Sequence, residues 1–157
     1  MSYVVGEKTD ECVFCIKAEQ DSDQENHVLY RAQRCFVLLN TYPYNSGHVM
    51  VVPYEHVSCI TMLDDETRDE MFFVAQLCVE VLKSHLGAEG VNMGMNIGQA
   101  AGAGIDHHLH LHLVPRWSGD TNYMTTIAET RIVPQDLDGT FEVLEPVIGS
   151  LLNEKLG

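Results

Sequence analysis

The alternation of apolar and polar residues along the chain predicts several short strands around one long helix. The segment "HVLYRAQRCFVLLN" predicts two strands with a turn near residues 32–34, and "HVMVVP" predicts a third strand over residues 48–53. Over residues 65–86, apolar side chains recur at three- and four-residue steps, and Gly87 follows directly. This spacing is typical of a helix that ends at a glycine.

Further strands are predicted beyond this helix. "GVNMGMNIG" predicts one strand, and the loop "QAAGAGI" leads to another within "DHHLHLHLVP". Residues 141–156 have helical spacing despite Pro146, whereas the acidic stretch 17–27 predicts a solvated loop. Strands on both sides of one helix predict an α+β fold, with a mostly antiparallel sheet of about five strands, one long helix and a C-terminal helical segment.

The composition fits one domain, spanning residues 1–157, that binds neither nucleic acid nor membrane. The chain has no internal repeat, no linker and no apolar run long enough to cross a bilayer. Its 23 acidic and 9 basic residues give a net charge of −14, which argues against contacts with a nucleic-acid backbone or an anionic membrane. The odd number of cysteines, and an N-terminus without the layout of a signal sequence, predict a cytoplasmic protein.

Four of the eight histidines fall in the short segment 107–112, where histidine alternates with leucine. Residues two apart on a strand share a face, so three histidines are expected on one face and three leucines on the other. The two sets are His108, His110 and His112, and Leu109, Leu111 and Leu113. Three interpretations compete: the histidines are structural, they hold a zinc ion with an open water position, or one attacks phosphorus while its neighbours bind the phosphoryl oxygens.

The loop before the histidines favours phosphate chemistry. Gly102, Ala103 and Gly104 are small residues whose backbone N–H groups can approach an anion closely. A chain with so few basic residues needs neutral donors of this kind to hold a polyanionic substrate.

A second set of candidate ligands lies near the N-terminus, where Cys12 and Cys15 form a C-x-x-C pair. Such a pair supplies half of a zinc site, and the other ligands must come from elsewhere. No βαβ pattern surrounds it, which counts against a thioredoxin-like redox function. The pair is therefore either half of a metal site or two free thiols.

The histidine segment resembles the histidine triad (HIT) family. "HLHLHLV", residues 108–114, matches the pattern H-φ-H-φ-H-φ-φ, in which φ is apolar. "LLNTYPYNSGHVMVVPYEH" is similar to the ribose-binding strands of that family, and "NIGQAAGAGIDHHLHLHLVPRWSGDTNYM" to the branch that contains bacterial diadenosine tetraphosphate phosphorylases. The resemblance covers residues 12–135 as a HIT-like core and leaves 136–157 as a C-terminal extension. Gly104 stands where many hydrolase and phosphoramidase members have glutamine, which favours the phosphorylase-like branch.

The resemblance implies nucleotidyl transfer on diadenosine polyphosphates, by phosphorolysis or hydrolysis. His110 is the expected nucleophile, which forms a covalent nucleotidyl-histidine. His112 is expected to contact the transferred phosphate, and His108 completes the catalytic triad. The alternatives are a purine nucleoside phosphoramidase and a nucleotide-binding sensor or scaffold with little catalysis.

The same resemblance implies a set of substrate-binding residues. They are Leu38 near the base, Asn40 at the ribose, Asn96, Ala103 and Gly104 at phosphate, and Trp117 as a wall of the cleft. An ordinary core leucine and a turn-capping asparagine are the structural alternatives for Leu38 and Asn40. For Trp117 the alternative is a side chain that caps the core. Arg116 is a further candidate for phosphate, and His48 is either a hydrogen-bond donor to the triad or a structural histidine.

The resemblance also implies a structural zinc ion and no organic cofactor. In some relatives, a histidine after the second conserved strand and the first histidine of the triad complete the C-x-x-C site. The corresponding ligands here are Cys12, Cys15, His56 and His108. Inorganic phosphate is implied as a second substrate, and the chain is expected to form a homodimer, or a higher homo-oligomer, with a continuous sheet.

Overall fold

The computed structural model of the chain describes residues 11–120 and 136–157. Five strands form one sheet in the order β1-β2-β3-β5-β4. Their bounds are Val28–Arg31 (β1), Cys35–Leu39 (β2), Val49–Pro53 (β3), Gly90–Gly94 (β4) and Leu111–Arg116 (β5). Each neighbouring pair is antiparallel, so the predicted α+β fold is confirmed. Two regions used in the sequence analysis lie outside the described ranges. One is the boundary of the HIT-like core at residue 135, and the other is the end of the quoted segment "SGDTNYM" after Asp120.

In the described part of the chain, four α-helices accompany the sheet: Val13–Glu19 (α1), Asp23–Asn26 (α2), Asp65–His85 (α3) and Leu137–Leu156 (α4). The long helix α3 begins after Asp64, whose carboxylate accepts a hydrogen bond from the Thr67 N–H at 2.7 Å. The C-terminal helix α4 is capped in the same way by Asp136 and continues past Pro146. Within the two described ranges, no helix has both the length and the hydrophobicity that crossing a membrane requires.

The sheet separates two buried layers, because its central strands bury both of their faces. The residues that pack with α3 and α4 include Val37, Val51, Leu111 and Leu113. The residues that pack with α1 include Phe36, Leu38, Met50 and Val52. Since side chains alternate along a strand, His112 of β5 points away from the long helix and toward the α1 layer.

The prediction of a solvated loop over residues 17–27 is wrong, because α1 extends to Glu19 and α2 follows it. Arg31 of β1 organises this segment from a distance. Its guanidinium donates to the backbone oxygens of Lys17 at 2.9 Å and Ala18 at 2.7 Å, and to the Asp23 carboxylate at 2.8 Å. These contacts join residues far apart in sequence, so local polarity alone did not predict them.

The histidine strand is shorter than the alternation predicted. β5 begins at Leu111, and residues 107–110 precede the strand. The Leu109 N–H donates to the Val57 oxygen at 2.6 Å, and the His108 ring Nε2–H donates to the Pro53 oxygen at 2.9 Å. These bonds hold the segment beyond the end of β3, while Leu109 stays buried as the alternation predicted.

Candidate active site and metal-binding cluster

A row of side chains crosses the α1 face of the sheet. The register pairs Leu38 of β2 with Met50 of β3, and Met50 with His112 of β5. Because neighbouring strands lie about 4.8 Å apart, the backbones of Leu38 and His112 are about 10 Å apart. A cavity of about 300 Å³ lies over this row, a volume at the lower end of the range for small-molecule sites.

Six residues predicted to form the site line this one cavity: Leu38, Asn40, Asn96, Gly104, His110 and His112. Among the other lining residues, the sequence interpretation named Gly102 and singled out none of the rest. They are Val13, Phe14 and Lys17 of α1, Thr41, Tyr42 and Tyr44 after β2, and Met50, Gly102 and Ile105. The wall is therefore mostly apolar near β2 and polar near β5. Among its described residues, none is an aspartate or a glutamate.

The backbone selects the tautomer of His110. Its Nδ1 lies 2.9 Å from the backbone oxygen of His108. A carbonyl oxygen only accepts, so the proton is on Nδ1, and Nε2 keeps its lone pair. The ring packs against Phe14, with 5.0 Å between the ring centroids. Nε2 is therefore the atom of His110 that can act as a nucleophile.

A second chain of hydrogen bonds orients His112. The backbone N–H of Tyr44 donates to Nδ1 of His48 at 3.2 Å, which leaves the His48 proton on Nε2. That Nε2–H donates to Nδ1 of His112 at 2.9 Å. His112 must then carry its own proton on Nε2, so it can donate a hydrogen bond to a ligand.

Burial keeps these imidazoles neutral. Desolvation lowers the pKa of His110 below its ordinary value, although its bond to the His108 oxygen acts in the opposite direction. Desolvation, followed by the neighbouring imidazoles, lowers the pKa of His48 to about 3 and that of His112 to about 4. At neutral pH, His110 therefore keeps its lone pair, and His112 donates as an uncharged group.

The predicted metal ligands also come together. Cys12, Cys15, His56 and His108 are all buried, and their ligand atoms lie within 4.8 Å of one another. The His108 Nδ1 is 3.3 Å from the Cys12 Sγ and 3.1 Å from the His56 Nδ1, and the Cys15 Sγ is 3.2 Å from the same His56 atom. A tetrahedral zinc ion, with Zn–S of about 2.3 Å and Zn–N of about 2.0 Å, needs ligand separations of roughly 3.3–3.8 Å. The four donors thus fit such an ion with little adjustment.

His108 connects this cluster to the nucleophile. Its ring Nε2–H donates to the Pro53 oxygen, so Nδ1 presents its lone pair to the thiols. Its backbone oxygen accepts the hydrogen bond that selects the His110 tautomer. Phe14 lies between the two cysteines in sequence and packs against both imidazoles, with ring centroids 5.4 Å from His108 and 5.0 Å from His110. The position of His110 therefore depends on the position of the cluster.

The structure places Ala103, which is predicted to bind phosphate, in a loop beside the cavity. The loop forms a short 3₁₀ turn, Gln99–Ala101, whose following N–H groups are used internally. Gly102 donates to the Gln99 oxygen at 2.9 Å, and Ala103 donates to the Gly98 oxygen at 3.4 Å. Ala103 is also absent from the cavity wall, whereas Gly104 is part of it.

The structure also places Trp117 and Arg116 away from the wall of the cavity. Trp117 lies five residues beyond His112, which corresponds to about 16 Å along a strand. Its indole N–H donates to the Gly87 oxygen at 3.0 Å, and neither Trp117 nor Gly87 lines the cavity. The Arg116 guanidinium instead binds both carboxylate oxygens of Asp120, at 2.7 and 2.8 Å. A strand carries successive residues away from the site, so nearness to the triad in sequence does not bring these two residues to the wall.

Comparisons of the sequence with known proteins identify its family. The HIT domain family model matches residues 21–119. A Mycobacterium tuberculosis protein named AP-4-A phosphorylase is 42% identical over 125 residues, which cover 80% of this chain and 64% of that protein. The chain thus spans slightly less than two thirds of that relative's length. An uncharacterized HIT-like protein from Methanocaldococcus jannaschii is 32% identical over 138 residues, covering 88% of this chain and 99% of that protein.

The fold has solved counterparts as well. The crystal structure of a zinc-bound histidine triad family protein from Mycobacterium smegmatis matches with a TM-score of 0.69 and 26% sequence identity. The match covers 92% of this chain and 97% of the other. With a matching family model, relatives over most of its length and the same fold, the chain belongs to the histidine triad (HIT) family.

Proposed function

We propose that the chain is a nucleotidyltransferase that cleaves dinucleoside polyphosphates through a covalent bond to Nε2 of His110. The observation that carries this proposal is the hydrogen bond from the His110 Nδ1–H to the His108 oxygen, because it leaves Nε2 as the nucleophilic atom of a ring on the cavity wall. A polyanion meets no acidic side chain on the described wall. The 42% identity to a protein named AP-4-A phosphorylase supports diadenosine tetraphosphate as a substrate.

In the first step, Nε2 of His110 attacks the α-phosphorus. A P–N bond forms, and the bond from that phosphorus to the bridging oxygen of the leaving nucleotide breaks. The His112 Nε2–H donates to the leaving oxygen. The His110 ring becomes positively charged, and the His108 oxygen stabilises that charge through the Nδ1–H.

In the second step, inorganic phosphate or water attacks the same phosphorus, and the electron pair of the P–N bond returns to Nε2. Phosphate gives ADP from an adenylyl group, whereas water gives AMP. Water is in great excess, so phosphorolysis requires a phosphate held beside the intermediate. The polar end of the wall offers Asn96, the Gly104 backbone and His112 for this purpose.

Product analysis tests the proposed function. We expect purified protein, supplied with diadenosine tetraphosphate and millimolar phosphate, to form ADP and ATP in equal amounts. Omitting phosphate should slow turnover and leave AMP and ATP as products. Chromatography of the nucleotides distinguishes the two routes. AMP and ATP without ADP in the presence of phosphate would show a hydrolase, and no turnover at all would contradict the proposal.

Two other functions use the same cavity. A purine nucleoside phosphoramidase would use the same nucleophile on a P–N substrate, and the glycine at position 104 weighs against it, since many such relatives have glutamine there. A nucleotide-binding sensor would need the cavity but not a neutral His110. Comparing the turnover of an adenosine phosphoramidate with that of the dinucleotide distinguishes a phosphoramidase from the proposed enzyme. Binding of nucleotide without any turnover would identify a sensor.

We also propose that the Cys12, Cys15, His56 and His108 cluster holds a structural zinc ion. The separations of the donor atoms support this, and so does the solved relative that is described as zinc-bound. When bound, the ion joins α1 to the segment before β5 and fixes His108. In this chain, the consequence is a fixed acceptor for the His110 proton.

The proposal includes a homodimer and a cytoplasmic location. Among the described strands, β4 pairs with β5 alone, so it forms an edge of the sheet, and its Met93 side chain is 53% exposed. Pairing of two β4 edges would give the expected homodimer, and light scattering of the purified protein measures its mass. All five cysteines are described and none forms a disulfide, which supports a reducing, cytoplasmic environment.

A further inference from the structure

The cavity has two chemically different ends, which lie on different strands. The row Leu38–Met50–His112 forms its floor, and the triad occupies the β5 end. Toward β2 the wall has apolar side chains, Val13 of α1 and Leu38 of β2. If the phosphate reacts at His110, as the proposed function requires, the nucleoside base must extend toward the apolar end.

Lys17 is the one cationic side chain on the described wall of the cavity. Its ammonium donates to the backbone oxygen of Asn26 at 3.5 Å, and Asn26 lies two residues before β1. In the sheet order, β1 is separated from β5 by β2 and β3, which corresponds to about 14 Å between the strands. This distance is comparable to the length of an extended nucleoside monophosphate, so Lys17 stands at the base end and not at the reacting phosphate.

The position of Lys17 is fixed by packing outside the cavity. The Arg31 guanidinium donates to the Lys17 backbone oxygen at 2.9 Å and to the Ala18 oxygen at 2.7 Å, which anchors the C-terminal turn of α1. An ammonium has three N–H donors, and one of them points to Asn26. Two N–H groups are left for a ligand in a wall that is otherwise apolar at this end.

The hydrogen-bonding edges of the two purines differ where such a donor would meet them. Guanine and hypoxanthine present two neighbouring acceptors, O6 and N7, whereas adenine presents the N7 acceptor beside the N6 amino donor. A lysine ammonium only donates hydrogen bonds, so it can bind both O6 and N7 of guanine or hypoxanthine. On adenine it can bind N7, but it faces another donor at the N6 amino group. An unmatched donor in a desolvated slot lowers affinity more than a matched one raises it.

We propose that Lys17 is a specificity-determining residue that favours dinucleotides of a 6-oxopurine, guanine or hypoxanthine, over those of adenine. This inference rests on the proposed function for the direction in which the nucleotide lies. It concerns the ratio between bases, and not the ability to cleave either substrate.

The test compares wild type with Lys17→Met, which keeps an unbranched side chain and removes the donors. Lys83→Met is the matched control, because it removes the same charge from an exposed position of α3 that does not line the cavity. For each protein, kcat/KM is measured with the tetraphosphates of diguanosine, diinosine and diadenosine. Binding of GMP, IMP and AMP is measured by calorimetry, which needs no turnover.

We expect Lys17→Met to lower the guanine-to-adenine ratio by about tenfold, both in kcat/KM and in mononucleotide affinity. Inosine should follow guanosine, since both present O6 and N7, and Lys83→Met should keep the wild-type ratio. An equal loss with all bases would place Lys17 on phosphate and overturn the inference, as would an unchanged ratio. If wild type cleaves no dinucleotide, the proposed function fails, while the mononucleotide ratios still decide the role of Lys17.

Discussion

Replacing His110 with alanine is expected to lower the turnover of diadenosine tetraphosphate by at least about 10⁴-fold, while nucleotide affinity stays within about threefold of wild type. The variant lacks the atom that forms the P–N bond, so neither phosphate nor water has an intermediate to attack. Asn40, Asn96 and the backbone at Gly104 still line the cavity and can hold the ground state. Initial rates and calorimetric affinities for AMP give the two readouts.

His85→Ala is the matched control for this variant. His85 is exposed at the C-terminal end of α3, outside the cavity, so its removal should leave turnover unchanged. Acid-quenched wild-type protein from a single turnover should carry an added nucleotidyl mass, and His110→Ala should carry none. Turnover by His110→Ala within tenfold of wild type would mean that another group is the nucleophile.

The double variant Cys12→Ser, Cys15→Ser is expected to lose its zinc ion and about 3 kcal/mol or more of its free energy of unfolding. For a domain of this size, that loss lowers the melting temperature by roughly 6–12 °C. Two of the four buried donors would be replaced by weaker oxygen ligands, and α1 would lose its tie to His108. Metal analysis and calorimetric melting measure the two effects.

Cys59→Ser is the control for the zinc prediction. Cys59 is partly exposed and is not part of the cluster, so its substitution should keep about one zinc ion per chain and the wild-type melting temperature. Wild-type protein that was never exposed to a chelator and contains no zinc would contradict the proposal. The double variant should also turn over more slowly, because His108 supplies the hydrogen-bond acceptor for His110.

Much of the fold was predictable because its signals are local. Alternation places Leu111 and Leu113 in the core and His112 on the opposite face, and three- and four-residue steps define α3. The metal cluster was predictable only through the family resemblance, because Cys12 and His108 are far apart in sequence. Their proximity, 3.3 Å between Sγ and Nδ1, results from α1 packing across the sheet.

The missed features depend on long-range contacts. The Arg31 guanidinium bonds to the backbone oxygens of Lys17 and Ala18 and to the carboxylate of Asp23. These contacts hold an acidic stretch, predicted as a loop, in two helices. With residues 17–27 predicted as a loop, Lys17 could not be placed on the same helix face as Val13 and Phe14. That shared face was the one sequence signal for the position of Lys17 in the cavity. Trp117 shows the opposite case, because it is near the triad in sequence but does not line the cavity.

Within the described residues, main-chain groups orient the imidazoles of this site, directly or through the ring of His48, and acidic side chains do not. The partners are the Pro53 oxygen for His108, the His108 oxygen for His110 and the Tyr44 N–H for His48. Many catalytic histidines are oriented by a carboxylate, which adds a negative charge next to the reacting group. In a chain of net charge −14, such a carboxylate would repel a tetraphosphate at the point of attack. Peptide groups fix the same tautomers with no net charge, so the acidity of the surface and the electrostatics of the cleft can vary independently of each other.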